Sequence, residues 1–177
     1  MEILYLLNLE KDNNLNLYFS LKNKHNLSIK EKEKDEFIFK IRNEIKKHVK
    51  NIDLIIFPES KSNFLKNVIG SLKIEHLELK KNSKEFIQER LVEMDFSKQE
   101  MKSQLIRLKK MGSTFQIHKI KSNQRKKYYP YLFKKTNANL ENKKIIFIDD
   151  SIFSGSTLKS AKFTINSIEK SLFIFKN

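Results

Sequence analysis

At 177 residues the chain is long enough to bury a core of ordinary size, and its 39% hydrophobic content is too high for a disordered chain. It contains no cysteine, which excludes disulfides, zinc–thiolate centres and thiol nucleophiles. It has no apolar run of the length that a membrane span needs, and the N-terminus lacks a basic leader. We therefore expect a cytoplasmic protein with no membrane association.

The net charge of +15 raises the question of a nucleic-acid partner. Few of the basic residues are arginines (Arg42, Arg90, Arg107, Arg125), although the planar arginine fork is the side chain best suited to bases and phosphates. A chain rich in Lys, Asn and Ile and poor in Ala, Arg and Gly is typical of an AT-rich genome. We therefore favour compositional bias combined with a site for a small anionic molecule, and leave nucleic acid as a less favoured partner.

The apolar pattern predicts alternating strands and helices. Residues 3–7 and 16–20 predict an N-terminal β-hairpin that turns at Asn13-Asn14. Apolar residues at every fourth position from Phe37 to Val49 predict one buried face of a helix. The other predicted elements are a strand at 52–57, a helix at 64–72, a strand at 74–79, helices at 83–93 and 97–111, a strand and mobile loop within 113–142, a strand at 144–149, a helix at 157–170 and a strand at 171–175.

This alternation predicts an α/β fold with a mainly parallel sheet flanked by helices. No internal repeat and no long linker divides the sequence. We therefore predict a single domain over residues 1–177.

One of the three glycines, Gly155, follows the apolar strand 144–149 and opens a predicted helix. Backbone N–H groups at a helix N-terminus lack partners within the helix, and the helix dipole adds partial positive charge there. Ser154, Ser156 and Thr157 add hydroxyl groups, so the turn suits a phosphate monoester. The Walker pattern is absent. The alternative is an ordinary turn that caps the helix.

Two adjacent carboxylates, Asp149 and Asp150, end the same strand. They repel each other and lose hydration unless cations or hydroxyl donors compensate them. Ribose hydroxyls and a hydrated Mg²⁺ would provide that compensation. Receiver domains of response regulators also have an apolar strand that ends in Asp-Asp, but their phosphoacceptor Asp follows later, and no Asp follows Asp150 here.

The run from Ile145 to Thr157 resembles the signature with which type I phosphoribosyltransferases bind PRPP (5-phosphoribosyl 1-pyrophosphate): four apolar residues, an acidic pair, three further residues, then Ser or Thr, Gly, any residue and Thr. The resemblance implies a type I phosphoribosyltransferase-like fold. It implies that Asp149 and Asp150 are catalytic, bind the ribose hydroxyls and hold Mg²⁺ through water. The residues implied to bind the ribose 5-phosphate are Ser151, Ser154, Gly155, Ser156 and Thr157.

Outside the signature the resemblance is looser. The loop after strand 52–57, with Ser60, Lys61 and Ser62, resembles the pyrophosphate loop of that family. Lys81, after the next strand, resembles the basic residue that reaches the pyrophosphate. Residues 84–135 take the place of a hood and a flexible catalytic loop, with Arg125 as the catalytic candidate. For any one of the lysines, the alternative is a solvated surface charge.

The resemblance implies transfer of the 5-phosphoribosyl group from PRPP to a small-molecule acceptor, a nucleobase or an amine, with release of pyrophosphate. Phe153 stands where purine-salvage members carry an Asp that contacts the base, which argues against an acceptor of hypoxanthine or guanine type. One alternative is a PRPP-sensing regulator that binds nucleic acid through its basic surface. Another is a module of a larger assembly that docks through the helices near 84–110. A homodimer is also left open.

Overall fold

The computed structural model describes residues 2–8, 14–21, 30–60, 62–112, 114–151 and 154–176. Strands and helices alternate along most of this chain. They are β1 (Glu2–Asn8), α1 (Asn14–Leu21), α2 (Glu31–His48), β2 (Leu54–Pro58), α3 (Phe64–Gly70), β3 (Glu75–Leu79), α4 (Lys84–Arg90), α5 (Lys98–Lys109), β4 (Ile145–Ser151), α6 (Ser156–Thr164) and β5 (Ile168–Lys176). Shorter 3-10 helices cover Leu91–Glu93, Ile117–Lys119 and Ser122–Tyr131.

The five strands form one sheet in the order β1-β5-β4-β2-β3. The neighbours β1 and β5, β5 and β4, and β4 and β2 all run parallel. β2 and β4 are buried along their whole length, as expected of central strands covered on both faces. The predicted α/β class with a mainly parallel sheet is confirmed.

The contacts divide the chain into two compact units. The first comprises Met1–Glu78, Leu140–Phe153 and Ser167–Asn177, and the second comprises Leu79–Asn139 and Ser154–Asn166. The segment 84–135, predicted as hood and loop, belongs to the second unit. The single domain over 1–177 stays a prediction.

The core of the first unit lies between α2, α3 and the sheet. Phe37, Ile41, Ile45 and Val49 are all buried, which confirms the helix face predicted from their spacing. They pack with apolar residues of α3 and with strand residues such as Ile148. Burying a side chain of this kind contributes about 1.5–3 kcal/mol, so the packing of α2 fixes one face of the sheet.

The second unit has its own core around Tyr128. The Tyr128 ring stacks on Phe115 at 5.3 Å and lies 5.8 Å from Phe96, measured between ring centroids. The 3-10 helix that carries Tyr128 also places Tyr129 6.3 Å from Phe163 of α6. Backbone bridges join Ser83 to Thr114 and Lys81 to Phe133.

The predicted N-terminal hairpin is wrong. β1 pairs with β5 in parallel, and residues 14–21, which include the predicted second strand, form helix α1. Asn13, part of the predicted turn, lies outside the described residues. A short apolar run does not distinguish a strand from a buried helix, and only the pairing of β1 with the distant β5 decides between them.

Two later boundaries also differ from the prediction. Among the described residues of 113–142, the predicted strand is absent, and 3-10 helices with isolated bridges take its place. The helix predicted over 157–170 ends at Thr164, and Ile168 begins β5, where it pairs with Ile145. Ile165 and Ile168 fit the helical spacing in the sequence, but both are buried outside the helix.

In the part of the chain that the structure describes, no helix is both long and apolar enough to cross a membrane.

Candidate functional site

The strand order creates a switch point between β2 and β4. From β2 the chain continues to β3 at one edge of the sheet, whereas from β4 it continues to β5 on the other side. β2 and β4 are hydrogen-bonded neighbours and run parallel from the pair Leu54–Ile145 onward, so their carboxyl ends lie at the same edge. Open α/β sheets bind ligands outside the carboxyl ends of two such strands. Both strands belong to the first unit.

The carboxyl end of β4 carries the acidic pair. Asp149 and Asp150 are 8% and 7% exposed, so both carboxylates are largely shielded from water. The backbone N–H of Asp150 donates to Oδ1 of Asp149 at 2.8 Å, and the hydroxyl of Ser151 donates to Oδ1 of Asp150 at 3.1 Å.

Tyr18 of α1 also reaches this end of β4, a contact that no sequence pattern predicts. Its phenolic oxygen lies 3.2 Å from Oγ of Ser151, and the residue is 5% exposed. Burial raises the pKa of the phenol; the hydrogen bond with Ser151 opposes this, and the nearby charge of Asp149 adds to it. The strand predicted over 16–20 gave no indication of this contact, because the contact depends on α1 being a helix.

The loop after β2 lies at the same edge of the first unit. Glu59, Ser60 and Ser62 are partly buried there, between Pro58 at the end of β2 and the start of α3. The hydroxyl oxygen of Ser62 is buried without a hydrogen-bond partner, and a buried polar group of this kind calls for an explanation. Lys61, predicted to bind pyrophosphate, lies outside the described residues.

The Ser-Gly-Ser-Thr turn belongs to the second unit. Gly155 has φ 65° and ψ 5°, a left-handed conformation, and α6 begins at the next residue. The hydroxyls of Ser154 and Ser156 lie 2.8 Å apart, and the carbonyl of Gly155 accepts the N–H of Lys159 at 2.9 Å. Thr157 is partly exposed at the first turn of the helix. Phe153, in the preceding segment, lies outside the described residues.

The segment predicted as a flexible catalytic loop is held to α5 by hydrogen bonds between buried and partly buried polar side chains. Tyr128 donates to Oε1 of Gln104 at 3.0 Å, and Nε2 of Gln104 donates to Gln124 at 2.7 Å. Gln124 in turn donates to Glu100 at 3.3 Å. Burial raises the pKa of Tyr128, so the phenol remains a donor at neutral pH. These bonds hold the 3-10 helix Ser122–Tyr131 against α5.

Arg125 and Lys81, the predicted basic residues that the structure describes, both lie in the second unit. Arg125 donates from Nε to the carbonyl of Ile120 at 2.9 Å and from Nη2 to the carbonyl of His118 at 3.0 Å. These bonds give Arg125 a structural role in its own segment. Lys81 lies at the backbone bridge to Phe133. Their assignments to catalysis and to pyrophosphate binding stay predictions.

Among the described side chains, no group of three or more His, Asp or Glu lies close enough together to form a metal site by itself. The acidic pair could still hold a cation that completes its coordination with water and substrate oxygens. Mg²⁺ binds in this way, usually with one or two carboxylates. The donor set at the end of β4 therefore fits Mg²⁺ better than a cation that needs a protein-only cage.

Known proteins give limited comparisons. No protein-family model matches the chain, and no curated protein matches it in sequence. Among solved structures, a hypoxanthine phosphoribosyltransferase from Staphylococcus aureus is similar at 13% identity and a TM-score of 0.42 over 79% of this chain. The chain spans 62% of that protein's length. A purine phosphoribosyltransferase from Pyrococcus horikoshii Ot3 is similar at 10% identity and a TM-score of 0.41, covering 100% of this chain and 89% of that one.

At such low TM-scores these likenesses carry no argument about chemistry. The fold class rests on the strand order and strand directions.

Proposed function

We propose that the protein is a phosphoribosyltransferase that transfers the 5-phosphoribosyl group of PRPP to a nitrogen nucleophile, with release of pyrophosphate. The observation that carries the proposal is the acidic pair, buried at the carboxyl end of β4 beside the carboxyl end of β2. This is the edge at which parallel α/β sheets bind ligands. The pair also stands within the run 145–157 that resembles the PRPP-binding signature.

Each element has a role in this proposal. Asp149 and Asp150 accept hydrogen bonds from the ribose hydroxyls, and their negative charge stabilises an electron-poor ribose ring. The serine loop after β2, which includes the unpartnered Ser62 hydroxyl, binds the pyrophosphate. The turn from Ser154 to Thr157, at the start of α6, binds the 5-phosphate through backbone N–H groups and hydroxyls. The last two roles follow the resemblance of the sequence.

Bound Mg²⁺ would neutralise charge on the departing pyrophosphate, with Asp149 and Asp150 holding it through water. The residues of the protein contribute positioning and electrostatic stabilisation. Together these can account for most of the rate enhancement of such a displacement. The acceptor is left as a nucleobase or an amine, because Phe153 replaces the carboxylate on which a hypoxanthine- or guanine-type acceptor would depend.

A thermal-shift titration with PRPP tests the proposal. A ligand at 100 times its Kd stabilises the folded state by about 2.7 kcal/mol, which for a chain of this length raises Tm by roughly 5–10 °C. The shift should require Mg²⁺ and should disappear with EDTA. No shift at millimolar PRPP with Mg²⁺ would refute the site.

Asp150→Asn is the matching variant, because the asparagine oxygen still accepts the hydroxyl of Ser151 while the charge is lost. It should remove the PRPP shift. Asp53→Asn is the control: Asp53 Oδ2 accepts the N–H of Lys144 at 2.8 Å before the first residue of β2, at the opposite edge of the sheet. An asparagine oxygen keeps that bond, so the control should respond to PRPP like the unaltered protein.

A pyrophosphate-release screen across bases and amines then separates the enzyme from its alternative. Turnover that depends on Mg²⁺ identifies the acceptor. Binding of PRPP without turnover, together with RNA or DNA binding that weakens steeply with salt, would identify the regulator instead.

A further inference from the structure

A continuous chain of hydrogen bonds joins Tyr18 to the acidic pair. The phenol of Tyr18 lies 3.2 Å from Oγ of Ser151, and Oγ of Ser151 lies 3.1 Å from Oδ1 of Asp150. The three side chains are buried, and all belong to the first unit. These hydrogen bonds connect α1, near the N-terminus, with the end of β4 more than a hundred residues later.

The direction of these bonds follows from counting hydrogens. A serine hydroxyl has a single hydrogen, and Ser151 donates it to Oδ1 of Asp150. The hydrogen between Tyr18 and Ser151 must then be the phenolic one. Burial and the charge of Asp149 raise the pKa of Tyr18, which keeps that hydrogen in place at neutral pH.

Packing holds the Tyr18 ring in a fixed position. It meets Phe175 edge-on, with ring centroids 4.8 Å apart, and lies 5.6 Å from Phe19. Phe175 also stacks on Phe37 of α2 at 6.1 Å. The ring of Tyr18 is therefore fixed within the hydrophobic core, and its hydroxyl contacts Ser151 from that side.

We infer that Tyr18 is a positioning residue, which acts through Ser151 to hold the carboxylate of Asp150 in the orientation that receives the ribose hydroxyls. The inference rests on the proposed function, since it names a residue that prepares the same site. The physical reason is preorganisation: a carboxylate already fixed by its neighbours loses less conformational freedom when the ligand binds. The inference also gives Ser151 a different role from the predicted binding of the ribose 5-phosphate, since its hydroxyl donates to Asp150 inside the protein.

The test compares ribose 5-phosphate with 2-deoxyribose 5-phosphate, each with Mg²⁺, because these probes differ in one hydroxyl that the acidic pair would bind. In the unaltered protein the ribose form should bind more tightly. Tyr18→Phe should weaken the binding of ribose 5-phosphate by about tenfold, roughly the effect of losing one hydrogen bond between a ribose hydroxyl and the carboxylate of Asp150. The binding of 2-deoxyribose 5-phosphate should change much less. A purely structural role would weaken both probes equally.

Ser151→Ala cuts the same link at its middle and provides a second variant if Tyr18→Phe folds poorly. It should reduce the preference for ribose to the same degree, and the double variant should be no worse than Ser151→Ala alone, because Tyr18 acts through the serine. Tyr5→Phe is the control: Tyr5 is 41% exposed on β1, outside this chain of bonds, and removal of its hydroxyl should leave both affinities unchanged.

The outcomes distinguish the two proposals. If the unaltered protein binds neither PRPP nor ribose 5-phosphate, the proposed function fails and takes this inference with it. If the unaltered protein binds and prefers ribose, but Tyr18→Phe and Ser151→Ala keep that preference, only the role of Tyr18 is refuted. Additive losses in the double variant would also overturn the inference.

Discussion

Replacing Gly155 tests whether the turn before α6 needs its left-handed backbone. At φ 65° and ψ 5°, a residue with a Cβ is strained by roughly 1–2 kcal/mol, because the Cβ crowds the following carbonyl. Alanine also restricts the unfolded chain, which offsets about 0.4–1 kcal/mol of that strain. Gly155→Ala should therefore lower the free energy of unfolding by about 0.5–1 kcal/mol, or Tm by roughly 1–4 °C for this chain length.

Two further variants make the measurement specific. Gly155→Asn should be milder than Gly155→Ala, since asparagine tolerates the left-handed region, as Asn142 does in this chain at φ 57°. Gly112→Ala is the control in the same unit: an added Cβ there meets nothing within 4 Å, and its φ is not positive. Gly112→Ala should leave stability unchanged or slightly increased.

Urea unfolding followed by circular dichroism gives the free energies, and unchanged m-values would show that the compactness of the unfolded state is the same in all variants. The expected order of stability is Gly112→Ala, then Gly155→Asn, then Gly155→Ala. If Gly155→Ala is as stable as Gly112→Ala, the left-handed turn does not constrain this position and the reasoning is refuted.

Two further predictions concern the second unit. Tyr128→Phe removes the donor to a buried amide oxygen of α5, so it should lower the free energy of unfolding by about 1–3 kcal/mol, and an unchanged urea midpoint would contradict the bond. Ser97→Ala removes the capping box of α5 and should lower stability by about 1 kcal/mol at pH 7. The backbone N–H of Ser97, which alanine keeps, and the hydroxyl of Ser97, which alanine lacks, both lower the pKa of Glu100, so the hydroxyl's share of that stabilisation is present above the ordinary glutamate pKa and is lost as pH falls through the folded-state value. Urea unfolding at pH 7 and at acid pH should therefore show a smaller difference between Ser97→Ala and the unaltered protein in acid.

The central strands and the best-packed helix could be predicted because their signals are local. The run from Ile145 to Ile148 is apolar on both faces, and it forms the buried strand β4. The four-residue spacing from Phe37 to Val49 describes one face of α2 without reference to the rest of the chain. The capping box at Ser97 is equally local, because both of its partners stand within four residues.

The elements that were missed depend on distant partners. The apolar pattern of residues 16–20 is compatible with both a strand and a buried helix. Which of the two forms depends on the pairing of β1 with β5, whose residues lie more than 160 positions apart in the sequence. The segment around Tyr128 has a polar sequence, and its 3-10 helix depends on bonds to Gln104 and Glu100 of α5. No local pattern encodes such contacts.

The same division applies to the candidate site. Sequence alone determined that two carboxylates end an apolar strand and that a Ser-Gly-Ser-Thr turn follows within the next seven residues, because both facts are contiguous in the chain. Only the tertiary structure decided that β2 is the neighbour of β4, which brings the serine loop to the same edge of the sheet as the acidic pair. Only the tertiary structure places Tyr18 behind that pair, because a hydrogen bond across 133 positions is created by packing and leaves no periodic trace in the sequence.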